Sequence, residues 1–152
     1  KVTESPAAPI TAPESVHFSE NIPIMVAEDS EVNQLIIKEM LGTIGLKPDI
    51  VNNGAEAVAL FPAKSYRLVL MDIQMPVMDG VEATEKIQAM QASGVNKDCA
   101  IVGLSAHATR GDRSRYLGMG MHDYMTKPID LVRLQSMLKE LLVSGVTATT
   151  WR

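Results

Sequence analysis

Apolar residues in this chain fall into short unbroken runs, and between the runs they recur every three or four positions. The runs lie within 22–27, 67–71 and 100–104, and two shorter, more polar stretches at 47–51 and 123–126 complete the set of five predicted strands. Continuous apolar runs of this length, rather than strict alternation, predict strands buried on both faces of a parallel sheet. The intervening stretches predict helices. Ser30 has the chemistry of an N-cap for a helix reaching about residue 44, where Gly45 ends it. Asn53-Gly54-Ala55-Glu56 resembles a capping box opening a short helix that stops at Pro62. Asp79 with Glu82 opens a third helix to about residue 92, and residues 93–98 form a polar loop. Thr109 with Asp112 caps a short helix broken by Gly118 and Gly120. Asp130 caps the last helix, which carries Leu131, Leu134, Leu138 and Leu141 on one stripe. Strands alternating with helices in this way imply an α/β fold, doubly wound, with a five-stranded parallel sheet, five helices and right-handed crossovers.

Composition then bounds the organisation. The 152 residues are 46% hydrophobic and 21% charged, enough for one domain with a full core and too few for two. Residues 1–21 carry Pro6, Pro9 and Pro13 among Ala, Ser, Thr and Glu without apolar periodicity, as a linker does. The folded unit is expected over 22–143, and the small polar residues from 144 to 152, Trp151 included, are expected to form a flexible tail. A net charge of −4 leaves no basic footprint for nucleic acid. The lone Cys99 excludes an internal disulfide and suits a small buried role in a reducing compartment. No apolar run approaches a membrane span, so no direct insertion is expected. Because Lys1 rather than Met opens the sequence, a piece of a longer polypeptide is expected. Its location would be cytoplasmic, with any tether to a membrane's inner face lying in the parent protein.

The candidate chemistry lies where the strands end. Leu68-Val69-Leu70-Met71 runs straight into Asp72, and the first run delivers Glu28-Asp29. The fourth run ends at Ser105 and the fifth at Lys127-Pro128. In open α/β sheets the ligand crevice lies outside the carboxyl ends of the strands, so these side chains belong to one rim. In the flavodoxin-like strand order 2-1-3-4-5 the first and third strands are neighbours, which would gather Glu28, Asp29 and Asp72. Three carboxylates in one cleft resist ionisation unless a cation is present, and a hard divalent ion such as Mg²⁺ resolves the conflict. A lysine and a hydroxyl beside them suit a carboxylate nucleophile attacking phosphorus. Any one of these residues alone would read as an ordinary turn residue.

On these motifs the chain resembles a response-regulator receiver domain of two-component signalling. The resemblance spans about 22–143 and rests on Glu28-Asp29, Leu70-Met71-Asp72 with Met75-Pro76 and Met78-Asp79-Gly80, Ser105-Ala106, and Tyr124 ahead of Lys127-Pro128. It implies that Asp72 is the phosphoacceptor and that Lys127 pairs with the phosphate. It also implies that Glu28, Asp29, Asp72 and the backbone carbonyl of Gln74 bind Mg²⁺, and that Lys127-Pro128 is cis. Ser105 and Tyr124 then correspond to the switch pair, with Ser105 where Thr is frequent. The run Glu28-Asp29-Ser30-Glu31-Val32-Asn33-Gln34 is similar to receivers attached to hybrid sensor histidine kinases. The implied partner is a phosphohistidine-bearing kinase or a histidine phosphotransfer domain.

Two rival classes remain open. A pseudo-receiver would bind partners without being phosphorylated. A haloacid dehalogenase-like phosphatase also uses a strand-end aspartate, but needs a second Asp where this chain has Gln74. Nucleotide-binding motifs are absent, and His17, His107 and His122 do not cluster. Ten methionines read as core filler, with Met75 and Met78 in the Asp72 loop the ones expected to be exposed. In the first helix, Ile36, Ile37, Met40, Leu41 and Ile44 share the face expected to pack on the sheet. Leu35 falls opposite, with Val32 one turn before it, so these two are the candidate contacts for a donor protein.

Overall fold

The computed structural model describes residues 22–106 and 110–143. The proposed linker and tail, Trp151, His17, His107 and the Thr109 cap lie outside the described residues. Five strands, β1 (Ile24–Ala27), β2 (Asp49–Val51), β3 (Leu68–Asp72), β4 (Ala100–Ser105) and β5 (Asp123–Thr126), form one parallel sheet in the order β2-β1-β3-β4-β5. They alternate with α1 (Glu31–Thr43), α2 (Gly54–Leu60), α3 (Gly80–Ala92), α4 (Arg110–Gly118) and α5 (Leu131–Leu138). A 3₁₀ turn, Phe61–Ala63, follows α2, and a π-helical turn, Lys139–Val143, follows α5.

The caps follow the side-chain chemistry. Ser30 Oγ accepts from the Asn33 amide at 3.3 Å, and Asn53 Oδ1 from that of Glu56 at 2.9 Å. Asp79 Oδ1 accepts from the Glu82 amide at 2.9 Å, and Asp130 Oδ2 from that of Arg133 at 3.1 Å. Each satisfies an amide that has no partner within its helix.

Because side chains alternate across a strand, each inner strand feeds two cores. Ile24, Val26, Leu68 and Leu70 pack with Ile37, Leu41 and Ile44 of the first helical segment and with Leu134, Met137, Leu138, Leu141 and Leu142. Met25, Ala27, Val69 and Met71 face the other way, onto Ala57, Ala83, Ile87 and Tyr116. Helices α1 and α5 therefore cover one face, and α2, α3 and α4 the other. Cys99 is buried, and burial pushes its thiol up to about 12, against a smaller opposing influence from Arg67. It is inert at neutral pH.

The structure corrects three side-chain expectations. Ile36 was assigned to the core face but is 42% exposed, because it lies where the sheet-facing side of α1 runs out beside Lys127, Pro128 and Ile129. Met75 and Met78 were expected outside, yet Met75 is buried and Met78 packs against the second core. Val77 is outside instead, 83% exposed. The Met78 amide bonds back to the Pro76 carbonyl at 2.7 Å, closing a tight turn with Val77 at φ 69°, a left-handed backbone that β-branched residues resist. On the last helix Leu131 is only half-buried, while Met137 and Leu142 widen the buried stripe.

Candidate functional site

Glu28 and Asp29 follow β1, Asp72 ends β3, Ser105 ends β4 and Lys127 follows β5, so four strand ends deliver these side chains to one rim. Register makes them neighbours: Ala27 pairs with Met71, Asp72 with Leu104, and Ser105 with Thr126. Carboxylate oxygens of Glu28, Asp29 and Asp72 all lie within 4.8 Å of one another. Glu28 and Asp72 are buried and Asp29 is exposed, so the cluster opens toward solvent on the Asp29 side.

One cation bridges the buried pair. Lys127 Nζ lies 3.0 Å from Asp72 Oδ2 and 2.8 Å from Glu28 Oε1. It reaches back into the cleft from a cis Lys127-Pro128 bond. Its ammonium is aligned to donate to Asp72, whereas Glu28 Oε1 has the charge contact without an aligned hydrogen bond. The other oxygens are held by main chain: Ser30 N–H donates to Glu28 Oε2 at 3.0 Å and Gln74 N–H to Asp72 Oδ1 at 3.2 Å.

These contacts split the two buried acids. Burial pushes the Asp72 carboxyl up to about 6; the Lys127 hydrogen bond opposes this and the nearby Glu28 charge reinforces it. Burial also works against the charged form of Glu28, but the Lys127 ammonium 2.8 Å away and the Ser30 N–H outweigh it and hold Glu28 below its ordinary value. For Lys127 burial would lower the ammonium, and the two carboxylates reverse that, so it stays charged. Two negative charges thus face one positive charge, with a third carboxylate beside them. An all-oxygen donor set with surplus negative charge, and a buried Glu28 oxygen short of an aligned donor, fits a hard divalent cation such as Mg²⁺.

The acidic loop is gripped by two glycines whose role the sequence did not reveal. A Cβ on Gly80 would collide with the Asp72 carbonyl oxygen and fall 2.9 Å from Ile73 Cα, and the Gly80 amide donates to the Ile73 carbonyl at 2.9 Å. Gly54 N–H donates to the Met78 carbonyl at 2.9 Å, and a Cβ there would meet Met78 and Asp79 backbone oxygens. Only glycine allows this approach of helix starts to the loop.

The remaining candidates take these places. Ser105 is buried one residue past the partner of Asp72, and its carbonyl accepts from Lys127 N–H at 2.8 Å. The Tyr124 ring is buried and packs edge-on against Tyr116, centroids 5.7 Å apart. Gln74 follows Asp72 by two residues, with its side chain exposed. Val32 and Leu35 are 68% and 57% exposed on α1, and Ile36 extends them into an apolar patch beside the cleft. His122 is exposed, and its Nδ1 accepts from Ile101 N–H at 3.2 Å.

Residues 24–139 match the model of the response regulator receiver domain. The chain is similar to the two-component response regulator 24 of Arabidopsis thaliana, 36% identical over 77% of this chain and 81% of that protein. It is also similar to the sensor protein GacS of Pseudomonas syringae, 39% identical over 70% of this chain but only 12% of GacS. Against the hybrid kinases it likewise spans a small fraction of the whole, 3% for hybrid signal transduction histidine kinase G of Dictyostelium discoideum. Among solved structures, the receiver domain of the Pseudomonas aeruginosa sensor histidine kinase PA1611, which has magnesium coordinated in its active site cleft, gives a TM-score of 0.73 at 35% identity. That match covers 82% of this chain and all of that one. The Saccharomyces cerevisiae Ssk1 receiver, in co-crystals with the histidine phosphotransfer protein Ypd1, gives 0.77 at 28% identity, covering 82% of this chain and 91% of that one.

Proposed function

The chain belongs to the response regulator receiver domain family, and from that premise we propose that it accepts a phosphoryl group from a phosphohistidine onto Asp72 in a Mg²⁺-dependent reaction. The observation that carries this reading is the bridge of Lys127 Nζ between Asp72 and Glu28, at 3.0 and 2.8 Å, beside the exposed carboxylate of Asp29. Glu28, Asp29, Asp72 and the Gln74 backbone carbonyl would hold the metal, whose charge offsets the negative charge spread over the phosphoryl oxygens. An Asp72 oxygen attacks phosphorus and the P–N bond to the donor imidazole breaks, leaving the electron pair on nitrogen. Lys127 neutralises a phosphoryl oxygen and keeps Asp72 ionised. Water later attacks the same phosphorus, the aspartyl O–P bond breaks, and phosphate leaves.

Ser105 would donate its hydroxyl to the new phosphoryl oxygens, drawing the end of β4 inward. Tyr124 already packs on Tyr116, so its switching motion would exchange that edge-on contact for the space the loop vacates. Val32 and Leu35 form the docking surface for a phosphohistidine-bearing kinase or histidine phosphotransfer domain, which must lie against α1 to reach Asp72. The parent would be a hybrid sensor histidine kinase, with 1–21 as linker, 22–143 as receiver and 144–152 as tail, on the cytoplasmic side. Among the described residues no helix is long and apolar enough to cross a membrane.

Incubation with acetyl phosphate and Mg²⁺, followed by intact-mass measurement, tests the chemistry. One phosphoryl should add to the wild type, none in EDTA, and none to Asp72→Asn. Equal labelling of Asp72→Asn would overturn the assignment.

A further inference from the structure

The β1–α1 turn that carries Glu28 and Asp29 is tied down twice by its own following segment. Ser30 N–H holds the Glu28 side chain, as described, and Gln34 holds its main chain: Nε2 of Gln34 donates to the Glu28 carbonyl at 2.6 Å. The same amide nitrogen donates to Asn52 Oδ1 at 2.9 Å. Asn52 is in turn anchored, because its backbone amide and side-chain amide both donate to Glu56 Oε1, at 2.7 and 3.3 Å. Gln34 therefore joins α1, the acidic turn and the β2–α2 loop through one NH₂ group, using both of its protons.

The Glu28 carbonyl belongs to the peptide that leads into Asp29. Fixing that carbonyl fixes the plane of the Glu28-Asp29 peptide, and with it the direction from which the Asp29 carboxylate enters the cluster. Of the three acids Asp29 is the exposed one, so its aim depends most on its backbone. We propose that Gln34 is a positioning residue for the cation site: its amide sets the Glu28-Asp29 peptide so that the three carboxylates converge. Gln34 also sits one residue before Leu35, lining the same shallow groove with Glu31 and Lys38, so a protein seated on α1 would cover this clamp and shield it from water. The docking helix and the metal site are thereby joined by a single side chain.

This inference rests on the proposed cation site, and the test separates the two. Mg²⁺ affinity of the intact chain is measured by isothermal titration calorimetry, with melting in EDTA as the control for folding. Outer groups that orient metal ligands typically contribute ten-fold or more in affinity. Gln34→Leu removes both protons and should weaken Mg²⁺ binding about ten-fold while shifting the EDTA melting temperature little. Gln34→Glu should also weaken it, since its carboxylate repels the Glu28 carbonyl and Asn52 Oδ1, although an added negative charge alone would tighten binding. Gln34→Arg retains N–H donors toward these oxygens and should bind Mg²⁺ more tightly than Gln34→Leu, even though its added positive charge alone would weaken binding. Wild-type affinity in Gln34→Leu, or tighter binding by Gln34→Glu, would overturn the positioning role. If the wild type itself binds no Mg²⁺, the proposed cation site fails.

Discussion

Asp72 should destabilise the metal-free protein at neutral pH, and replacing it should stabilise the fold. Its carboxyl is raised from 3.8 to about 6 in the folded chain, chiefly by burial. A raised acid binds its proton more tightly when folded, so its contribution to stability is full below the unfolded value near 4 and is lost as pH rises through about 6. The shift of roughly two units at 1.36 kcal/mol each corresponds to about 3 kcal/mol above pH 7. Asn is close to the protonated carboxyl in shape and never ionises. In EDTA, Asp72→Asn should therefore exceed the wild type by about 3 kcal/mol at pH 8, and the gap should close toward pH 4. At about 4 °C per kcal/mol for a domain of this size, that is roughly 10 °C in melting temperature. Urea and thermal melts of both proteins at intervals from pH 4.5 to 8 measure the gap. The depressed Glu28 carboxyl acts in the opposite direction, losing stability as pH falls through its lowered value, and it does so in both proteins. Mg²⁺ should then reverse the ranking, since binding to the wild type stabilises it by mass action. A gap that stays constant with pH, or a wild type that is the more stable protein at pH 8 in EDTA, would refute the account of Asp72 as a buried, frustrated carboxylate.

Three further outcomes are expected. Gly80→Ala should cost about 3 kcal/mol or more, because the new Cβ meets backbone at Asp72 and Ile73 that cannot rotate away; a loss under about 1 kcal/mol in denaturant melts would show the contact to be soft. Ser105→Ala should accept phosphate from a small donor yet leave the amide resonances around Ser105, Ala106 and Tyr124 near their unphosphorylated positions, and wild-type shifts there would count against the hydroxyl as the link. Leu35→Lys should slow transfer from a phosphohistidine protein about ten-fold while altering stability by less than about 0.5 kcal/mol and leaving acetyl phosphate labelling alone, since the side chain is largely exposed. An unchanged protein-to-protein rate would place the docking surface elsewhere.

The fold was legible because its signals are local. Unbroken apolar runs mark strands covered on both faces, and Ser30, Asn53, Asp79 and Asp130 cap helices through amides only three residues away. The strand order could be inferred too, since acids ending the first and third runs make chemical sense together only if those strands are adjacent. Other features depend on groups far apart in sequence. Helical periodicity says which way Ile36 points around its axis but not that the covered part of α1 ends beside Pro128, so its exposure was hidden. Composition marked Met75 and Met78 as loop residues, while the tight turn at Val77 sends the methionines inward and the valine out. The glycine of Met78-Asp79-Gly80 was visible, but not the Asp72 carbonyl that forbids any side chain there. Most of all, the sequence supplies the acids and the lysine, and only folding brings Lys127 to 3.0 Å from Asp72, 55 residues away. Charge and burial at such distances act through space, so the split between a raised Asp72 and a lowered Glu28 belongs to the tertiary structure.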